Sequence, residues 1–205
     1  MNAASPPAYD AFRAAYESGR GSLVWRHDVA DLLTPVAAFL KLAHGKKFSF
    51  LLESVEGGAT RGRYSVIGMA PDLIWRCENG VALLNRDAQH DPDNFLPVGE
   101  PPLDSLRDLI AETKLDVPEG LPPMTGGLSG YLGYDMVRLM EDIPNANPDV
   151  LGIPEAILVR PSLFAIFDTV TDELTLAAPI YPKAGMSAAT AYAAAELRIK
   201  AAVAA

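Results

Sequence analysis

The sequence is poor in the residues that most often carry chemistry. It holds a single cysteine, Cys77, in 205 residues, so neither an internal disulfide nor a Cys-x-x-Cys metal site can form. A reduced, cytoplasmic setting is expected, with Cys77 as a small packing residue inside Leu73–Glu78 rather than a nucleophile. The histidines, His27, His44 and His90, stand far apart in the chain. None belongs to the His-Glu-x-x-His pattern that binds zinc from one helix face, and surface or capping roles are expected. No apolar run reaches the ~18 residues that a membrane helix needs. Met1–Asp10 carries neither the basic start nor the apolar stretch of a secretory signal. Basic residues are also short: 17 Lys and Arg face 26 Asp and Glu, a net charge of −9. They are scattered, which argues against the clustered cationic surface that a nucleic-acid partner requires.

What remains is an ordinary globular composition, 49% hydrophobic and 21% charged. Phe12 and Tyr16 stand four residues apart in a short amphipathic helix over Tyr9–Tyr16. Ser22–Asp28 alternates as a strand does. Thr34 then offers an N-cap with Pro35 at the first helical position, and Val36, Phe39, Leu40 and Ala43 form the expected apolar face of a helix ending near Gly45. Phe48–Ser54 reads as a buried strand, and Tyr64–Met69 as the next. Leu73–Glu78 and Val81–Asn85 flank Asn79-Gly80, the strongest short hairpin signal, because both turn residues tolerate positive φ. Leu106, Leu109 and Ile110 mark a helix over Leu103–Thr113. Gly126–Tyr134 reads as a kinked strand and Met136–Met140 as a turn or two of helix. Ala156–Val159, Leu163–Asp168 and Glu173–Ala178 are strands, and Ser187–Ala205 is an alanine-rich helix. Strands arriving in hairpin-like runs, with helices between groups, predict an α+β fold: mostly antiparallel sheets packed as a sandwich-like core with flanking helices. No long linker interrupts residues 1–205, so one domain is expected.

Few motifs survive inspection. Ser129, in Gly127-Leu-Ser-Gly130, misses the Gly-x-Ser-x-Gly elbow by one position. The run from Gly57 to Tyr64 has the glycine spacing of a phosphate loop. Arg63 and Tyr64 replace its lysine and hydroxyl, however, and a strand follows instead of the helix that would hold phosphate. The acidic pairs Glu141-Asp142 and Asp172-Glu173 lie beside turns and need no catalytic reading. Phe50-Leu-Leu-Glu53-Ser54 is different. It sets a carboxylate and a hydroxyl at the end of an apolar strand, where an unmatched buried polar group costs roughly 1–3 kcal/mol. Two readings stay open: both groups cap neighbouring loops, or both bind a polar ligand such as an amino acid.

Four segments occur in order: Asp31-Leu-Leu-Thr-Pro-Val36, Phe50-Leu-Leu-Glu-Ser-Val-Glu-Gly-Gly58, Gly62-Arg-Tyr-Ser65 and Gly126-Gly-Leu-Ser-Gly-Tyr-Leu-Gly-Tyr-Asp135. Together, over about Asp31–Pro179, they resemble the N-terminal region of the anthranilate synthase component I family. The resemblance implies a two-part enzyme whose start, here residues 1–30, is variable. Residues 187–205 would form a helix leading to a separate C-terminal chorismate-binding part with the catalytic residues. It implies that chorismate and ammonia become anthranilate and pyruvate in tryptophan biosynthesis, with ammonia supplied by a glutamine amidotransferase subunit. Mg²⁺ would bind in the other part, leaving no catalytic or metal residue in this chain, which would be inactive alone. It further implies that Glu53, Ser54 and, on the next strand, Tyr64 contribute to a site for L-tryptophan as feedback inhibitor. The related component I of aminodeoxychorismate synthase and a stand-alone amino-acid-binding module are the alternatives.

Overall fold

A computed structural model of the chain describes residues 9–56, 60–144 and 148–205. Its elements run α1 (Tyr9–Glu17), β1 (Ser22–Val29), α2 (Pro35–Leu42), β2 (Phe50–Glu56), β3 (Thr60–Glu78), β4 (Val81–Asn85), β5 (Leu96–Pro97), α3 (Pro102–Glu112), β6 (Ser129–Leu132), a 3-10 turn over Tyr134–Leu139, β7 (Ala156–Asp168), β8 (Glu173–Ile180) and α4 (Ala188–Ala204). Hydrogen-bonded neighbours follow the order β1-β8-β7-β3-β4-β5, with β2 on β3 and β6 on β7. The registers of these elements are antiparallel. This is the expected α+β class with flanking helices.

The chain gathers into two compact units. The first comprises Met1–Ala70, Lys114–Gly127 and Pro161–Ala205. Here β1 pairs with β8 over its whole length, Ser22 opposite Ile180 through Val29 opposite Glu173. One core cluster joins Phe12 and Tyr16 of α1 to Leu174, Leu176 and Ala178 of β8 and to Ala188, Ala191, Ala195 and Ile199 of α4. These α4 positions recur every three or four residues and are mostly alanine, a narrow stripe that lets the helix lie close to its neighbours. Tyr192 completes the seam, its ring edge-on to Phe12 at 5.1 Å. A second cluster holds Leu23, Trp25, Val66, Phe164, Ile166 and Ala177, with Tyr64 packed against it.

The second unit comprises Pro71–Thr113 and Leu128–Arg160. The Asn79-Gly80 turn forms as expected, with φ +52° and +70°, and closes the β3–β4 hairpin at Glu78 opposite Val81. The core joins Leu73, Trp75 and Cys77 of β3 to Leu106 and Leu109 of α3. Trp75 is fully buried and its Nε1–H donates to Ser105 Oγ at 3.1 Å. Arg160 is almost as hidden, its side chain 8% exposed. Its guanidinium grips Asp72 through Nε at 2.8 Å and Nη2 at 2.9 Å and reaches Glu112 at 3.3 Å.

Four expectations need correction. Tyr64–Met69 and Leu73–Glu78 are one strand, β3, and Ala156–Val159 and Leu163–Asp168 are one strand, β7. β3 and β7 are neighbours along one edge, and each interior proline falls where the partner on the other edge changes. Pro71 lies between the β2 ladder, which reaches Gly68, and the β4 ladder, which starts at Ile74. Pro161 lies between the β6 ladder, which reaches Val159, and the β8 ladder, which starts at Phe164. The absent N–H therefore breaks none of these four ladders. The α2 cap is as expected, with Thr34 Oγ1 accepting from the Ala37 amide at 3.1 Å, and Ala43 is buried with Phe39 packed against the same core, but Ala38 and Leu42 complete the buried face, while Val36 and Leu40 are about half exposed. An eight-residue helix this uniformly apolar gives the periodicity no stripe to single out. Lastly, β2 is not buried: Phe50 and Leu51 are half-buried and Leu52, Glu53 and Ser54 exposed.

Candidate functional site

Glu53 and Ser54 sit where the β2–β3 ladder breaks register. Glu53 pairs with Ser65, but the next pair is Val55 with Arg61. Between them Gly62, Arg63 and Tyr64 oppose the single residue Ser54, so β3 bulges outward. The bulge depends on glycine: a Cβ at position 62 would collide with the Ser54 side chain and carbonyl. Local backbone geometry thus brings Ser54 and the segment carrying Tyr64 together, with Glu53 adjacent on the same strand. Glu53 and Ser54 face solvent and Tyr64 is half-buried, so the carboxylate and hydroxyl are available to a ligand rather than sealed in a core. The sequence from Gly57 to Ala59, part of the glycine run read against a phosphate loop, lies outside the described residues.

Two residues that sequence reasoning passed over secure this place. Asp168, at the end of β7, accepts from Arg63 Nε through both oxygens at 3.1 Å and from Arg63 Nη2 at 2.8 Å. Burial opposes its ionisation, yet the hydrogen bonds from Arg63 and from the Val170 amide hold its carboxyl below the usual carboxylate range. Thr169 follows, donating its amide to the Arg63 carbonyl at 2.9 Å. The Arg63 guanidinium also lies 4.8 Å from the centre of the Tyr64 ring, a cation–π contact. No sequence signal links positions 63 and 168; only the strand pairing does.

The second unit has a concavity of its own, an open groove of about 870 Å³ beside the Asn79-Gly80 turn, lined by Tyr131, Tyr134, Asp135, Arg138, Val150 and Glu155 among others. Several of its polar groups bond one another, while Glu155 Oε2 is buried without a hydrogen-bond partner. Arg138 binds Asp135 and the Ile143 and Pro144 carbonyls, and Asp149 accepts from the Leu151 and Gly152 amides. Cys77 lies at the groove's floor. Burial, and then the charge of Glu155, push its thiol up, which removes it as a nucleophile and supports the packing role.

Mg²⁺ takes oxygen ligands in near-octahedral array. Among the described residues no three His, Cys, Asp or Glu side chains converge as a metal site. Of the histidines, His90 binds Asp87 at 2.6 Å and His27 binds Thr175 at 3.0 Å, both structural contacts. Among the described residues no helix is long and apolar enough to cross a membrane.

Comparison with known proteins assigns this architecture. Anthranilate synthase component 1 of Cereibacter sphaeroides is 47% identical over 192 residues, 94% of this chain and 38% of that protein. The chain matches the N-terminal part of anthranilate synthase component I. The Thermus thermophilus component 1 is 39% identical over 151 residues, 74% of this chain and 30% of that one. The chain thus spans about a third of the length of these component 1 relatives. The crystal structure of anthranilate synthase component I from Streptococcus pneumoniae superposes with a TM-score of 0.52, covering 85% of this chain and 36% of that one. At 22% identity that likeness concerns the fold. No family model matches the chain.

Proposed function

We propose that this chain is the N-terminal, regulatory part of an anthranilate synthase component I. The whole enzyme converts chorismate, with ammonia drawn from glutamine by an amidotransferase subunit, to anthranilate and pyruvate. This part supplies no catalytic group; Mg²⁺ and the chemistry belong to the chorismate-binding part. Its contribution is one wall of a feedback site in which Glu53, Ser54 and Tyr64 meet L-tryptophan.

The observation that carries the reading is the bulge opposite Ser54. Exposed Glu53 and Ser54 and half-buried Tyr64 lie at or next to one break in the ladder. An amino acid with a flat apolar side chain needs that combination: an apolar surface for the indole and a few placed polar groups for the ammonium and carboxylate. Inhibition then requires two states of the enzyme that differ in affinity for tryptophan, and a Ser54 contact made in one of them would bias the pair.

The test is tryptophan inhibition of the full-length enzyme with Ser54→Phe. The tryptophan concentration that halves anthranilate formation should rise at least about tenfold, within the usual range of allosteric coupling. An unchanged inhibition curve would overturn the assignment.

A further inference from the structure

We propose that Asp168 is a positioning residue for the Ser54 site: from the end of β7 it holds Arg63, and through Arg63 the bulge that Ser54 faces. The inference rests on the tryptophan reading of that site.

On the edge away from the β2 ladder, β3 has β7 as its hydrogen-bonded neighbour. The Asp168-Thr169 corner at the end of β7 there holds the backbone of the bulged segment. The Arg63 carbonyl accepts from the Thr169 amide at 2.9 Å and from Thr169 Oγ1 at 3.1 Å. The Gly62 carbonyl also lies 3.4 Å from Thr169 Oγ1. Asp168 adds the side-chain half of the clamp. Its carboxylate is 8% exposed and the Arg63 guanidinium 47%, so the buried partner is the anchor and the solvated one is what it holds. The anchor is itself fixed twice, by pairing with Glu173 in the β7–β8 ladder and by the Val170 amide, which donates to Oδ1 at 3.0 Å. A planar guanidinium held through two nitrogens has one orientation, and this one sets Arg63 against the Tyr64 ring. A surface ion pair contributes little to stability. The role of this pair is to fix Gly62 against Ser54 on one side and Tyr64 on the other.

Asp168→Asn keeps an acceptor for the Val170 amide and removes the charge that grips Arg63. L-tryptophan is titrated calorimetrically into the full-length enzyme that contains this chain, as wild type, Asp168→Asn, Arg63→Ala and the double variant, each below its own Tm. Asp168→Asn should weaken tryptophan binding roughly fivefold or more, and the double variant should bind no more weakly than Arg63→Ala, because residues in one network couple. Thr169→Val, which removes only the hydroxyl, should weaken it less. Binding by wild type with Asp168→Asn unchanged in Kd and lowered only in Tm would overturn the positioning role, as would additive losses in the double variant. No binding by wild type would overturn the site reading and this inference with it.

Discussion

Replacing Asp72 with alanine should destabilise the second unit more than replacing Arg160 with methionine, although the two side chains form one ion pair. The asymmetry follows from where water reaches. Arg160 is 8% exposed, whereas the Asp72 and Glu112 side chains are 36% and 39% exposed. Methionine keeps most of the aliphatic stem, both carboxylates rehydrate, and Glu112 retains Arg86, which binds its two oxygens at 2.7 Å. The expected cost is within about 1 kcal/mol, as for other buried pairs replaced by apolar side chains. Removing Asp72 instead takes the two-nitrogen partner from a guanidinium that water cannot easily reach. Breaking a buried pair from one side costs about 3–5 kcal/mol; the partial exposure of Asp72 places this case near about 2–3 kcal/mol. The two tryptophans provide the assay, since Trp25 lies in the first unit and Trp75 in the second. In a Trp25→Phe background, urea unfolding followed by fluorescence reports on Trp75 alone, and an unchanged m value licenses the comparison. A Cm for Arg160→Met equal to or below that of Asp72→Ala would refute the reasoning.

In the same assay Ser105→Ala should lower stability by about 1–3 kcal/mol, because it strands the buried Trp75 N–H; a smaller effect would mean that the indole finds another acceptor. Gly80→Ala should cost about 1 kcal/mol from backbone strain, since φ is +70° and an added Cβ would meet nothing within 4 Å. Glu112 and Asp168 are both held below the usual carboxylate range, Glu112 chiefly by its hydrogen bonds from Arg86 and Asp168 by Arg63 against the penalty of burial. A lowered folded-state value means that the stabilisation is complete above the unfolded value, about pH 4, and is lost as pH falls through the folded one. Denaturant midpoints should therefore drop below about pH 4, with a shallower drop in Asp168→Asn; equal slopes would remove Asp168 from the acid response.

Local chemistry was legible where one residue type has one use. Thr34 before Pro35 gave a true cap, Asn79-Gly80 a true turn, and Phe12 and Tyr16 a true buried face. Legibility failed where the deciding partner is distant. β3 and β7 were each read as two strands because nothing local shows that a strand can run on through Pro71 or Pro161. The α2 stripe was right at Phe39 and Ala43 and wrong at Val36 and Leu40, because nearly all of its residues are apolar, and β2 looked buried because composition does not reveal which strand lies open to solvent. At the candidate site, Glu53 and Ser54 stood out as polar groups ending an apolar strand. Asp168 did not, because its meaning comes from pairing with Arg63, 105 positions away.

The most direct test of the account is an amide NMR titration with L-tryptophan of the full-length enzyme, isotopically labelled only in the segment that this chain forms, using L-phenylalanine as control. The account predicts saturable, tryptophan-selective shifts centred on Glu53, Ser54 and Gly62–Tyr64, spreading to Asp168 and Thr169. No saturable shift, or shifts confined to the groove beside the Asn79-Gly80 turn, would contradict it.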